Sequence, residues 1–357
     1  MNKTIYLDMA ATTPITEPVL DAMLPYLTEQ YGNPSSLYSL GREAHKAIET
    51  AREKIAKAIN AKPEQIIFVS GASEANNWVC SKFDRVLCSP YEHHSILNHP
   101  HVIEKSQFVS LKNELYDQMP DLFSHMTVNN ETGDIYDIKT MTEICHRQGV
   151  LFHSDGTQAF GHIPIDVVDL DVDFLSLSGH KFHSAKSIGI LYMKEPNNLK
   201  PFLYGGGQER HLRAGTENVA SIVGMGVAAE LYNYSSEKDK RCREIQLKFY
   251  NAFSQMKDVH FNTNVNSAIS STLNVGFKNV EAESLMLLLD MDGICVSAGS
   301  ACNSGSLEPS HVLKAIGCPD EYIYNSIRLS WDDTLTDEEV NYTIECIKKN
   351  VKKVRGY

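Results

Sequence analysis

The chain has 357 residues, 42% of them hydrophobic and 22% charged, with a net charge of −12. Length predicts about two domains, the apolar content excludes a chain disordered throughout, and scattered rather than repeated Gly and Pro exclude collagen-like and low-complexity classes. The acidic balance argues against stable nucleic-acid binding, which usually needs a basic surface.

In chain order, residues 1–14 lack a basic head followed by an apolar run, so no signal peptide is expected. Residues 41–60 are predicted helical, because Ala44, Ala47, Ile48, Ala51, Ile55, Ala58 and Ile59 share one face. Strands are predicted at 65–71, 85–89, 108–111 and 125–130. Helical spacing resumes over 138–148, with Gly149 placed as a C-cap. Strands follow at 150–155, 173–179 and 189–193. Strands separated by helices indicate an α/β fold with a mostly parallel sheet covered on both faces. Beyond Gly205-Gly206-Gly207, residues 218–256 are predicted to form one or two long helices, with a charged run at 235–241. The remainder has the pattern of a smaller α+β domain, ending in a helix from Asp337. The expected division is an arm at 1–14 belonging to the small domain, a large domain at 15–235 and a small domain at 236–357. The longest weakly polar stretch, 219–230, is shorter than the ~18–20 residues of a membrane span, so no membrane association is expected and the cytoplasm is the expected location. Eight cysteines form no C-x-x-C pair and no metal-ligand spacing, so free thiols and no metal are expected.

Several motifs carry chemistry. Ser178-Gly179-His180-Lys181 follows a predicted strand; Lys181 is either a solvated strand-end lysine or an amine that forms a Schiff base with an aldehyde cofactor. Asp155 also ends a strand. It either caps a turn or supplies the carboxylate that keeps the ring nitrogen of pyridoxal phosphate protonated, with Gln158 placed to reach the ring's phenolic oxygen. Residues 70–77 lie between a strand and a helix, where small residues let backbone N–H groups approach a phosphate. Ser178 and His180 are further phosphate donors by proximity in sequence. His93, after Glu92, is a structural histidine or a ring that stacks on the cofactor and carries a proton. Cys302 sits among Gly, Ser, Ala and Asn, a composition suited to a mobile loop and an exposed nucleophilic thiol. Arg328 is either a salt-bridge partner or a fork for a substrate carboxylate.

Taken together the sequence resembles the cysteine desulfurases of the NifS/IscS-like group, within the class V aminotransferase family. The matching segments run in order along nearly the whole chain: 6–14, 32–36, 41–44, 70–77, Glu92-His93, 129–133, 155–158, 178–181, 205–210, 213–218, 297–302 and 306–310. The Ser-Ala-Gly-Ser-Ala-Cys motif marks the subgroup with the longer cysteine loop. The resemblance implies a fold-type I pyridoxal 5'-phosphate enzyme, a homodimer that converts L-cysteine to L-alanine and holds the sulfur as a persulfide. Sulfur then passes to a protein acceptor, an iron–sulfur scaffold or a tRNA-thiolation enzyme. It further implies that Lys181 bonds the cofactor and that Asp155 and Gln158 hold its ring. His93 stacks on the ring as acid and base. Ala72, Ser73, Ser178 and His180 hold the phosphate, and Thr216 reaches the phosphate in the neighbouring subunit. Asn130 and Arg328, with Asn33, lie by the substrate, and Cys302 attacks the substrate sulfur. A selenocysteine lyase or an aminotransferase on the same scaffold is the alternative, and a non-catalytic scaffold a third.

Three departures stand out. Leu329-Ser330-Trp331-Asp332-Asp333-Thr334 replaces the Leu-Gly-Arg-Phe/Tyr-Thr common after the substrate arginine. The sequence ends at Tyr357, short of the extension with which housekeeping members dock an iron–sulfur scaffold. Met9 stands where Tyr is common.

Overall fold

The computed structural model describes residues 4–105, 111–196, 199–299 and 309–356. Its strands, in chain order, are β1 (Ile5–Tyr6), β2 (Ile66–Val69), β3 (Val86–Cys88), β4 (Val102–Lys105), β5 (Leu122–Ser124), β6 (Leu151–Asp155), β7 (Phe174–Ser178), β8 (Gly189–Met193), β9 (Val259–Phe261), β10 (Thr272–Phe277), β11 (Ile294–Cys295) and β12 (Ser326–Ser330). The chain separates into two compact units. One comprises Thr13–Thr127 and Tyr136–Asn233; the other comprises Met1–Thr12, Val128–Ile135 and Tyr234–Tyr357. The segment Val128–Ile135 was not separated from the large domain by the sequence pattern. It joins the smaller unit through long-range bonds: Ile135 N donates to Ser267 O at 3.2 Å and Ile269 N to Gly133 O at 2.9 Å, and Thr263 Oγ1 donates to Thr132 O at 2.7 Å.

The larger unit is built on a sheet of order β2-β8-β7-β6-β5-β3-β4. Neighbours from β4 to β7 are parallel, whereas β8 runs antiparallel to both β7 and β2. Strands β2, β3, β5, β7 and β8 are buried along their whole length, the unalternating apolar pattern of a sheet covered on both faces. Trp78, Val79, Ile96, Leu122, Phe174 and Leu191 form its core.

Two strand expectations shift. The strand expected at 125–130 is β5, three residues earlier. His125 N and Thr127 N continue its bonding to the carbonyls of His153 and Asp155, and the chain then departs into the smaller unit. The strand expected at 108–111 lies largely outside the described residues, and Leu111 opens the helix Leu111–Gln118; β4 was not anticipated. The helix Ile138–Arg147 starts where the Asp137 side chain accepts Thr140 N. It ends at Gly149, whose φ of 73° allows Val150 N to reach Cys145 O, the left-handed glycine stop expected there. The weakly polar 219–230 stretch is the buried helix Val219–Leu231. A Cβ on Gly226 would stand 2.7 Å from Ala51, so the missing side chain permits this helix's close crossing with Ser39–Ala58.

In the smaller unit, β12, β10 and β9 form an antiparallel sheet, and β1 pairs with β11 in parallel. The helices Ser236–Ser254, Ala282–Met291 and Asp337–Val354 accompany them. Phe249, Phe253, Phe277, Leu285, Ile327 and Leu329 are fully buried there. Trp331 joins this core, its ring centroid 5.4 Å from Phe249, so the aromatic of the unusual 329–334 stretch fills the interior. The C-terminal helix begins at a capping box in which Thr336 Oγ1 accepts Glu339 N and Glu339 Oε2 accepts Thr336 N. No helix among the described residues is long and apolar enough to cross a membrane. Among the described residues, too, no group of three or more His, Cys, Asp or Glu is arranged to hold a metal.

Candidate active site

The larger unit gathers its chemically distinctive residues at the carboxyl ends of β2, β6 and β7, where ligands bind in open α/β sheets. Asp155 is the last residue of β6 and is 6% exposed. A carboxylate this deep needs donors. Asn76 Nδ2 donates to its Oδ2 at 2.8 Å and Thr157 N to its Oδ1 at 3.0 Å. Lys181 closes the 3₁₀ turn Gly179–Lys181 that follows β7. That turn is tied down by Thr13, whose N and Oγ1 both donate to His180 O at 2.9 Å.

The helix Ala72–Cys80 starts one residue beyond Gly71, and its first N–H groups have no intrahelical acceptors. Gly71 has a φ of 154°, and a Cβ there would lie 3.6 Å from Ser178 Oγ. Gly189 packs so closely that a Cβ would lie 2.7 Å from Gly71 Cα. Two glycines thus bring Ala72 and Ser73 beside Ser178 without intervening side chains. Burial, with Lys181 and Lys186 nearby, pushes His180 down to about 4, so this imidazole is neutral at pH 7.

His93 is the N-cap of the short helix His94–Leu97 and accepts Ser95 N on Nδ1 at 3.1 Å. Accepting there places the proton of the neutral ring on Nε2. Burial holds His93 below the usual histidine range, assisted by His94 and Lys181 and opposed by Asp155. Ser95 Oγ lies 2.8 Å from the same Nδ1 and accepts Asn76 Nδ2 at 2.9 Å. One amide therefore orients both Asp155 and, through Ser95, His93. Next to His93, Glu92 is buried and pushed up to about 8 by desolvation, although Ser89 Oγ and Met126 N donate to its Oε1 at 2.7 and 2.6 Å. Gln158 is buried one turn beyond Asp155.

Thr216 lies in a loop lashed to β2, the edge strand of the sheet. Glu209 and Arg52 form a bidentate pair at 2.9 and 2.8 Å, and Glu209 Oε2 accepts Phe68 N at 2.8 Å. Arg52 and Arg210 both donate to Ile66 O, and Arg52 lies 4.7 Å from the Phe68 ring centroid. Further along, Arg213 clamps Glu74 at 2.9 and 3.1 Å, while Glu74 Oε2 accepts Ser70 N at 2.7 Å. Side chains thereby satisfy the outward backbone groups of an edge strand that would otherwise invite pairing. A cavity of about 80 Å³ lies under this loop, lined among others by Ser70, Arg213, Thr216 and Glu217.

In the smaller unit Arg328, on β12, is 1% exposed. Its Nη2 donates to Asp8 Oδ1 at 2.7 Å and Ser297 Oγ at 2.8 Å, and its Nη1 to the carbonyl of Asn130 at 2.6 Å. The arginine is thus in an ion pair, and a buried one. Asn130 meets it through backbone. Asn33 is exposed, and its Oδ1 accepts Ser35 N. Cys302 lies outside the described residues. Of the other seven cysteines, six are buried and Cys295 is half-buried. Burial raises the thiols of Cys80, Cys145, Cys242, Cys295, Cys318 and Cys346, the first three to about 12, which makes them poor nucleophiles.

Sequence reasoning missed Asn76, Ser95, Asp8 and Ser297 as individuals. Three of the four fall inside matching segments (70–77, 6–14 and 297–302), but no local pattern says which side chain each would meet. The arrangement as a whole offers an anion cradle, a buried carboxylate for a protonated ring nitrogen, an amine and a neutral imidazole.

The aminotransferase class-V family profile matches residues 5–342. The chain is 41% identical to the cysteine desulfurase IscS of Dictyoglomus turgidum, over 99% of this chain and 96% of that protein. It is 40% identical to the cysteine desulfurase IscS of Methanosarcina thermophila, over 99% and 94%. Among solved structures, a NifS-like protein superposes with a TM-score of 0.89 at 32% identity, covering 97% of this chain and 98% of that one. A NifS-like protein from Rickettsia africae gives 0.88 at 30%, covering 99% and 100%.

Proposed function

The chain belongs to the aminotransferase class-V family, and from that premise we propose that it is a pyridoxal-phosphate-dependent cysteine desulfurase whose working residues are those gathered at the ends of β2, β6 and β7, together with Arg328 and Cys302. The observation that carries this reading is the buried Asp155, held by Asn76 at 2.8 Å on the sheet edge from which Lys181 and the helix Ala72–Cys80 also emerge.

The residues present fit the cofactor. A phosphate suits the cradle of Gly71, Ala72, Ser73 and Ser178, left open because a glycine stands where a Cβ would face Ser178 Oγ. A protonated ring nitrogen suits a carboxylate too deep to remain without a counter-charge. When bound, pyridoxal phosphate supplies an electron sink that labilises bonds at the carbons of an attached amino acid.

The chain's own residues do the rest. Asp155 would keep a proton on the ring nitrogen, and Gln158 would donate to the ring oxygen. Lys181 Nζ would hold the cofactor, and it is the amine placed to move protons at the substrate carbons. His93, neutral with its proton on Nε2, would pack against the cofactor ring and can donate that proton. Arg328 receives the substrate carboxylate, and Cys302 Sγ receives the sulfur. The balance is L-cysteine plus the Cys302 thiol giving L-alanine plus a Cys302 persulfide: the carbon–sulfur bond breaks, a sulfur–sulfur bond forms, and of the two thiol protons one ends on the alanine methyl carbon and the other on the persulfide. The persulfide sulfur then passes to an acceptor; we propose a protein of iron–sulfur cluster or thio-cofactor assembly, and a homodimer in which Thr216 serves the neighbouring subunit's cofactor.

The test reads visible absorption, alanine, and sulfide released by reductant together after adding L-cysteine. Alanine and sulfide should form in step. Cys302→Ala should keep the cofactor and lose protein persulfide, and Lys181→Ala should lose the visible band of the lysine-linked cofactor. Unchanged persulfide in the first variant, or an intact band in the second, would refute the assignment of that residue.

A further inference from the structure

An isolated guanidinium buried as deeply as Arg328 would be costly, and the smaller unit counters that cost with a purpose-built frame. Backbone pairing fixes the frame. Ser297 and Arg328 exchange N–H and carbonyl bonds at 3.3 and 2.6 Å, and Asp8 bridges to Ser330, two residues further along β12. The side chains then close on one another. Asp8 Oδ1 accepts Arg328 Nη2 at 2.7 Å and the Ser297 hydroxyl at 2.9 Å, while Ser297 Oγ accepts the same Nη2 at 2.8 Å. With the Asn130 carbonyl on Nη1, three of the five N–H groups of a guanidinium are committed. Nε is buried with no hydrogen-bond partner.

We infer that Asp8 is a positioning residue that sets the enzyme's affinity for carboxylate substrates, with Ser297 as its helper. The inference rests on the reading above that Arg328 receives the substrate carboxylate. Asp8 holds the guanidinium plane in an orientation that leaves the buried Nε–H without an acceptor among the described residues. It also neutralises the charge in advance, so an incoming carboxylate meets an oriented but already paired cation. Orientation strengthens binding and neutralisation weakens it. Two substitutions separate these effects. Asp8→Asn keeps an oxygen to accept from Nη2 and Ser297 but removes the charge. Asp8→Ala removes both.

The assay uses the holoenzyme, with the KM for L-cysteine and calorimetric titration of 3-mercaptopropionate, which carries the thiol and carboxylate but no amine. Asp8→Asn should lower both KM and the dissociation constant by about three- to tenfold, the scale of one screened charge removed from a carboxylate site. Asp8→Ala should raise them by about tenfold or more, as lost orientation outweighs the gain. A merely structural role would lower stability without tightening carboxylate binding in Asp8→Asn, and that result overturns the inference. If Asp8→Ala does not fold, Ser297→Ala replaces it: weaker binding supports the orienting frame, and unchanged binding overturns it. Arg328→Lys keeps the two levels apart. If it leaves 3-mercaptopropionate binding unchanged, the parent assignment of Arg328 fails and the inference falls with it. If it weakens binding while both Asp8 variants match the wild type, only the role of Asp8 fails.

Discussion

Replacing Glu209 by Gln tests how the loop carrying Thr216 is held. Glu209, Arg210 and His211 are three successive non-glycine residues with positive φ, 45°, 58° and 66°. Left-handed backbone costs roughly 1–2 kcal/mol per L-residue, so this turn stores on the order of 3–6 kcal/mol that its anchors must offset. The main anchor is the Glu209–Arg52 pair, whose side chains are 3% and 5% exposed. Removing one partner of a buried pair costs about 3–5 kcal/mol. The lower end applies here, because Glu49 remains 3.1 Å from Arg52 and a Gln oxygen can still accept Phe68 N. We expect a loss of about 3 kcal/mol, which lowers the Tm of the larger unit by roughly 6–12 °C. Thermal and urea unfolding of the Glu209→Gln, Glu209→Met, Arg52→Met and Arg52→Met/Glu209→Met proteins measures it. The paired apolar substitution should be less damaging than the sum of its singles, because neither leaves an uncompensated charge once both are gone. A Glu209→Gln loss below about 1 kcal/mol, or additive Met substitutions, would refute the account of the edge strand as sealed by this pair.

Two further predictions follow from the same geometry. Asn76→Ala removes a donor to the Asp155 carboxylate, an interaction worth about 1.5–3 kcal/mol; retention of pyridoxal phosphate on dialysis should fall about tenfold or more, and equal retention would show that Asp155 does not depend on Asn76. Stability should fall on both sides of neutrality. Burial holds His125, His153 and His180 at about 4, so the unfolded chain binds more protons and stability is lost as pH drops from about 6.5 towards 4. Glu92 has the opposite sign: raised to about 8, it contributes stability that is complete below about 4.5 and is lost as pH rises through 8. Glu92→Gln should flatten the alkaline arm of unfolding free energy against pH; an unchanged arm would mean Glu92 is already ionised in the fold.

Much of the larger unit was legible because its signals are local. The spacing of Ala44, Ile48, Ala51 and Ile55 marks a helix wherever it packs. Gly149 marks a helix end because a cap acts on neighbouring N–H and carbonyl groups. Asp155 and Lys181 were readable as strand-end residues because the apolar runs before them are unmistakable. Ser178, His180 and Arg328 were candidates from their place in the sequence, and the matching segments added Thr216.

Antiparallel β8 was not legible, since an apolar run carries no direction. Nor was the transfer of Val128–Ile135 to the smaller unit, which depends on bonds to residues 263–269. The partners that matter most to the site are remote: Asn76 and Asp155 are 79 residues apart, and Asp8 and Arg328 are 320 apart. The sequence by itself determined which residues could do the chemistry, through period, caps and motif order. The tertiary structure decided which side chains orient them, because hydrogen bonds and ion pairs require distances near 3 Å that only strand register and packing impose.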